Sequence, residues 1–295
     1  MKQGIALSVF SSFLFALLYY YATVLQPLTG EAIFAWRVVL GLPALALLIT
    51  RARGWGEILL VASRLRHDVK LWLLLTLSAA LIGVQLLIFV WAPLHQRGLD
   101  VSLGYFLLPL VMVVVGRVFY KERLTRMQVV AVSIAAVGVV HELWRADSFS
   151  WVTALVMFGY PPYFMLRRKM RIGSFCTLWF DMLFILPVAL LVLHAQPMSV
   201  LEQFMRHPAL FGMVPLLGLI SSAALVAYIS ASRMLPLGLF GILGYVEPVL
   251  LFWVAFLFLG ESMEMQAWLT YIPIWIGVLL MVAEGLLKWL QERTS

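Results

Sequence analysis

Residues 71–92 read LWLLLTLSAALIGVQLLIFVWA, an unbroken run with no charged side chain. As an α-helix rising about 1.5 Å per residue it covers about 33 Å, against a bilayer hydrocarbon core about 30 Å thick. Thr76, Ser78 and Gln85 are its only polar side chains. A helix satisfies its own backbone without water, so this length of apolar chain reads as a membrane span. Similar runs lie near 4–24, 32–50, 102–119, 127–144, 150–167, 174–193, 208–231, 237–259 and 265–285. Together they predict an all-α, polytopic membrane protein of about ten transmembrane helices.

Composition agrees. Hydrophobic residues make up 63% of the 295 and charged residues 12%, with a mean hydropathy of +1.00. Soluble domains carry about 25% charged residues, so an ordinary water-soluble core is excluded. The first run follows only Lys2; it is too long for a signal-peptide core and lacks a small-x-small cleavage site, so it is expected to be the first span. The stretch 56–70 holds Arg64, Arg66, His67, Asp68 and Lys70 and is too polar to cross. It is expected to lie on the membrane surface as an amphipathic helix. Cys176 is the single cysteine, so no internal disulfide forms.

The charges order the spans. With the N-terminus inside, 17 of the 21 basic residues fall in inner segments and only Arg97, Arg145 and Arg206 in outer ones, Arg37 being within a span. That asymmetry fits an even number of spans with both termini cytoplasmic. It also explains the net charge of +7 as topology, with no nucleic-acid partner implied. Membrane lipid and a small-molecule substrate are the expected partners.

An internal repeat emerges from offsets. Pro109, Glu122 and Gly138 recur as Pro248, Glu261 and Gly277, each 139 residues later. A second register of 144 pairs Pro43 with Pro187 and Arg37 with Asp181. Chance alignment among apolar residues is the alternative. If real, the repeat divides the chain into 1–147 and 148–295, two five-helix halves. Five is odd, so the second half inserts inverted, a transporter design with its site near midplane.

Charged groups within spans cost from about 2.5 to above 10 kcal/mol and persist only where they face a partner or cavity. Arg37 sits about two turns into the second span and Asp181 about two turns into the seventh; each could pair helices together or meet substrate. Glu247, beside Pro248 in the ninth span, is the foremost candidate for binding a proton or a cationic part of a substrate. Pro248 is expected to free a carbonyl there. Gln85 needs a partner, from a neighbouring helix or a ligand. Trp91, Tyr105, Tyr163 and Tyr245 complete the candidate substrate-binding or coupling set, although interfacial anchoring is the commoner role of such residues. Pro161-Pro162 is expected to kink the sixth span. No histidine, cysteine or acid spacing suggests a metal or catalytic site, and no nucleotide loop is seen, so neither cofactor nor enzyme activity is expected.

Three stretches carry a family resemblance: Leu81-Ile82-Gly83 through Phe89-Val90-Trp91-Ala92, Ser102-Leu103-Gly104-Tyr105-Phe106-Leu107-Leu108-Pro109-Leu110, and Tyr120-Lys121-Glu122-Arg123-Leu124. With Arg37 in Trp36-Arg37-Val38, Glu247-Pro248 and Gly260-Glu261, the sequence resembles the RarD branch of the EamA family, in the drug/metabolite transporter superfamily. The resemblance implies ten helices in two inverted five-helix repeats, a central cavity and a bacterial inner membrane. It departs from the branch at Gln85-Leu86, where Asn-Trp is usual, and at Glu247, where Gly is usual. A secondary transporter of small organic molecules such as metabolites or drugs is therefore expected. A passive pore or lipid scramblase is the alternative; it calls for hydrophilic stripes along several helices rather than isolated charges.

Overall fold

The computed structural model describes residues 2–121, 124–145, 150–235 and 243–294. Glu122, Arg123, the junction at 147 and the start of the expected span 237–259 lie outside them. The described residues form twelve α-helices and no strand: α1 (Lys2–Val24), α2 (Gly30–Arg51), α3 (Trp55–Leu65), α4 (Val69–Leu94), α5 (Gly98–Tyr120), α6 (Arg126–Arg145), α7 (Trp151–Met170), α8 (Ser174–His194), α9 (Val200–Arg206), α10 (Leu210–Met234), α11 (Val246–Trp253) and α12 (Trp268–Thr294). Seven of them, α1, α2, α4, α5, α8, α10 and α12, contain a stretch long and apolar enough to cross a membrane. Helices α6 and α11 contribute shorter apolar stretches, and α7 ends in Arg167, Arg168 and Lys169. The polar stretch after α2 contains the helix α3, which buries Ile58 and Val61 while Leu59 and Leu60 stay exposed. Helix α9 was not legible; seven residues are too few to leave a periodic pattern.

Four helix starts are fixed locally. Thr29, Asp68 and Ser199 side chains accept the amides of Ala32, Leu71 and Glu202, and Thr125 and Gln128 bond reciprocally at the start of α6. Helices α5 and α8 have no such cap of their own. Distant carboxylates supply it. Glu261 accepts from the amides of Gly98 (2.6 Å) and Leu99 (2.8 Å), and Glu57 from that of Gly173 (2.7 Å). Negative charge at a helix N-terminus is favoured by both the free amides and the dipole.

The chain forms two compact units whose boundaries fall within α1, α7 and α10 and between α4 and α5, the one in α7 lying between Pro161 and Pro162. Helix α7 continues through that pair. The first unit comprises Met1–Ala16, His95–Pro161 and Ala227–Ser295; the second comprises Leu17–Leu94 and Pro162–Val226. Each therefore draws on both residues 1–147 and residues 148–295.

In the first unit, α6 and α12 touch backbone to backbone. A Cβ on Gly138 would stand 2.5 Å from the carbonyl oxygen of Thr270, and one on Gly277 would stand 2.7 Å from that of Ala131. The helices run antiparallel, and the two contacts exchange under a shift of 139 residues. The same shift relates Lys121, in the left-handed region at φ 55° after α5, to Gly260, at φ 66° after α11. Around them Phe106, Phe252, Tyr271 and Ile274 build the core, with the Phe252 ring edge-on to Trp275 at 5.1 Å. In the second unit α2 and α4 both pack on α8, the latter closely where Gly83 meets Ile185.

Candidate functional site

Arg37, in the third turn of α2, is half-buried. Its Nε donates to Ser221 Oγ on α10 at 3.2 Å, and its guanidinium lies over the Phe89 ring at 5.3 Å from the centroid. Tyr19 also packs against Phe89, in a T-shaped contact at 5.2 Å. The side chain thus turns into the protein, where an aromatic face and a hydroxyl partly replace its hydration.

Asp181 lies in the second unit too, fully buried in α8. Its Oδ2 accepts from the Tyr163 hydroxyl at 3.0 Å, and Tyr163 accepts from Arg167 Nη1 at 2.9 Å, with the Arg167 guanidinium over its ring. Ser78 of α4, also fully buried, faces the same carboxylate. Arg37 and Asp181 are not adjacent. Phe89 and Ser78, their respective neighbours on α4, are eleven residues apart, about 16 Å along the axis. Gln85, buried at 2% exposure, stands between them on the same helix, seven residues from Ser78 and four from Phe89. Those spacings place all three on one face of α4. Trp91, half-buried, packs its backbone and Cβ against Gly30 at the start of α2.

The remaining candidates belong to the first unit. Tyr105 and Tyr160 share a hydrogen bond of 2.8 Å between their hydroxyls. Tyr245 is buried, and its hydroxyl has no hydrogen-bond partner among the described residues. Glu247 is half-buried in the first turn of α11. Its neighbour Pro248 is in that first turn as well, where no intrahelical bond is lost, so the expectation that Pro248 frees a carbonyl by breaking a helix is corrected. The break lies earlier, at Gly244 and Tyr245. The Pro248 carbonyl instead accepts from Ser102 Oγ at 3.0 Å.

The structure also gives the SLGYF stretch physical roles. Ser102 ties α5 to α11, Gly104 allows Val156 of α7 to approach so closely that a Cβ would stand 2.6 Å from it, and Tyr105 pairs with Tyr160. The sequence assigns no binding or tying role to Ser78, Ser102, Ser221 or Phe89. The spacing of Ser78, Gln85 and Phe89 on one helical face was the available signal.

No family model matches the sequence. Among curated proteins, the chloramphenicol-sensitive protein RarD of Pseudomonas aeruginosa is 48% identical over 94% of this chain and 93% of its own length. The chain belongs to the RarD family. A protein named uncharacterized transporter, from Haemophilus influenzae, is 36% identical over 97% of this chain and 95% of its own. Protein RarD of Escherichia coli is 28% identical over 100% and 98%. A crystal structure superimposes with a TM-score of 0.55 over 96% of this chain and 98% of that one, at 15% identity, a likeness of fold alone. The family is of the drug/metabolite transporter type; the chain is a multi-pass membrane protein, helical with no strand among the described residues, and transport is the activity class that its relatives' names support.

Proposed function

We propose that the protein is a secondary transporter of small organic molecules, metabolites or drugs, working by alternating access through a central cavity. The observation that carries this reading is the polar face of α4, with Ser78, Gln85 and Phe89 flanked by Asp181 and Arg37, kept inside helices apolar enough to span. A charge held there at several kcal/mol needs a use. Arg37, Gln85, Trp91 and Glu247, with Tyr105 and Tyr245, are proposed as substrate contacts, and Asp181 with Tyr163 as the coupling group. The ten-span count is proposed as two inverted repeats, 1–147 and 148–295. The exchanged glycine contacts at Gly138 and Gly277 and the left-handed residues Lys121 and Gly260 support it. So does the second register, since Arg37 meets a serine of α10 and Asp181 faces a serine of α4. A bacterial inner membrane with both termini cytoplasmic completes the reading, testable with C-terminal reporter fusions.

The deciding experiment is uptake into proteoliposomes from a panel of labelled amino acids and drugs. Chloramphenicol is included because the name of the Pseudomonas aeruginosa relative mentions it. Saturable, protein-dependent uptake that Arg37→Ala abolishes is expected. Unsaturable flux would favour a passive pore. Exchange of fluorescent lipid between leaflets, with no solute uptake, would favour a scramblase.

A further inference from the structure

Asp181 is fully buried and touches no cation directly among the described residues: Tyr163 donates to its Oδ2, and Ser78 of α4 is the one other hydroxyl that reaches the carboxylate. Two neutral hydroxyls replace the hydration of a fully buried carboxylate poorly when no cation touches it. We infer that Asp181 binds a proton during the transport cycle, held on Oδ1 toward Ser78, while Oδ2 stays fixed by Tyr163. Only the proton's use in transport rests on the transporter reading. Protonation forms one O–H bond at Oδ1 and leaves behind the water of the hydronium that delivered it; release reverses both changes.

The surroundings select a proton over a larger cation. A metal cation of the harder kind takes about six oxygen ligands. Here there are the carboxylate, one serine hydroxyl and a tyrosine oxygen that already accepts from Arg167. Arg167 is a permanent positive charge that opposes a proton and a metal cation alike, so the choice between them rests on the few oxygen ligands and the lack of space. Of the elements packed on α8, α7 presents Tyr163 and Arg167, α4 presents Ser78, and α2 and α3 present no charged group to Asp181 among the described residues. A substrate ammonium would need open space beside a carboxylate whose exposure is 0%.

The repeat sharpens the point. Arg37 and Asp181 each lie seven residues after the first residue of their helices, Gly30 and Ser174. Arg37 cannot lose its proton in a protein. Of these two corresponding positions, only the one in α8 can change charge.

Infrared difference spectra of the full-length protein in lipid nanodiscs, taken while the pH is lowered from neutral, report the C=O stretch of each carboxyl that gains a proton. A band present in wild type and lost in Asp181→Asn is expected, shifted in frequency by Ser78→Ala. Where Asp181→Asn fails to fold, Tyr163→Phe and Ser78→Ala retain the carboxyl, and removing either partner should displace the midpoint by about one pH unit. No band distinguishing wild type from Asp181→Asn, or one midpoint shared by wild type, Tyr163→Phe and Ser78→Ala, would overturn the site and leave Asp181 as a fixed tie between α7 and α8. This measurement requires no transport. In proteoliposomes holding a pH-sensitive dye, chloramphenicol or a labelled amino acid carried by wild type should move protons, and Asp181→Asn should lose that signal at least tenfold; equal proton movement in the variant would overturn the coupling. Absence of carriage of every compound would defeat the transporter reading while the infrared result stood.

Discussion

Replacing Glu261 with alanine removes both acceptors at the start of α5 at once. Glu261 is 7% exposed, Gly98 is buried and Leu99 half-buried, so water replaces the carboxylate poorly. Each orphaned buried amide costs about 1–3 kcal/mol, and the half-buried one sits at the lower end, which gives a loss of about 2–4 kcal/mol. For a chain of this size that corresponds to roughly 3–6 °C in melting temperature. Glu261→Gln keeps one carbonyl oxygen with two lone pairs, enough to serve the adjacent amides, and removes a buried charge. Its loss should stay within about 1 kcal/mol. Burial holds the Glu261 carboxyl above the ordinary glutamate value, the amides of Gly98 and Leu99 offsetting this only in part. The folded protein therefore binds that proton more tightly than the unfolded chain. Wild type should gain stability as pH falls from neutral through the raised value, levelling off below about 4.3, the unfolded value. Glu261→Gln should show no such gain. Tryptophan fluorescence melts of the full-length protein in detergent measure all three, and hydrogen exchange reads the amides of Gly98 and Leu99 directly. An alanine variant that melts with wild type, with both amides still protected, refutes the capping role; a wild type that gains no stability as pH falls, or a glutamine variant that gains as much, refutes the pH argument.

Gly138→Ala and Gly277→Ala should each destabilise by about 1–3 kcal/mol, because the added methyl meets a backbone carbonyl that cannot move aside. Gly41→Ala and Gly212→Ala, with open space at the Cβ position, should match or slightly exceed wild type in the same melts. Arg37→Lys should lose the planar stacking on Phe89 and retain less than a tenth of wild-type uptake; full activity would show that a simple positive charge suffices. Glu247→Gln should raise KM about tenfold for positively charged compounds of the panel and leave uncharged ones unaffected, whereas an equal change for all would make Glu247 a packing residue.

The spans were legible because length and hydropathy are local properties, and helices such as α2, α4 and α8 end within a few residues of where the apolar runs end. Arg37 and Asp181 were legible because a charge inside an apolar run has no local excuse. Their partners were not. Ser221 lies 184 residues from Arg37, and Glu261 lies 163 from Gly98, separations at which sequence gives no sign of contact. Pro248 was misplaced within its helix for a related reason: a proline in a first turn and one in a helix interior look alike until the start of the helix is known. Gly138 and Gly277 showed an offset on the page, and only the fold shows that each glycine exists to admit the other helix.

The five residues Val254–Phe258 form a single π turn, closed by the amides of Leu259 onto Val254 and of Glu261 onto Ala255. Such a turn holds one residue more than an α-turn, so it acts as a phase shift: everything after it is rotated by about 100° and advanced by about 1.5 Å relative to an unbroken α-helix. Gly260 then turns the chain and aims Glu261 at the head of α5. Deleting any one residue of the five would let the turn relax to ordinary helix with little local penalty. It would also swing the carboxylate a quarter of the way round the axis and off its target. The spare residue is thus a pointer, and the chain's tolerance of insertions and deletions at this place is set by a helix that begins more than 150 positions earlier.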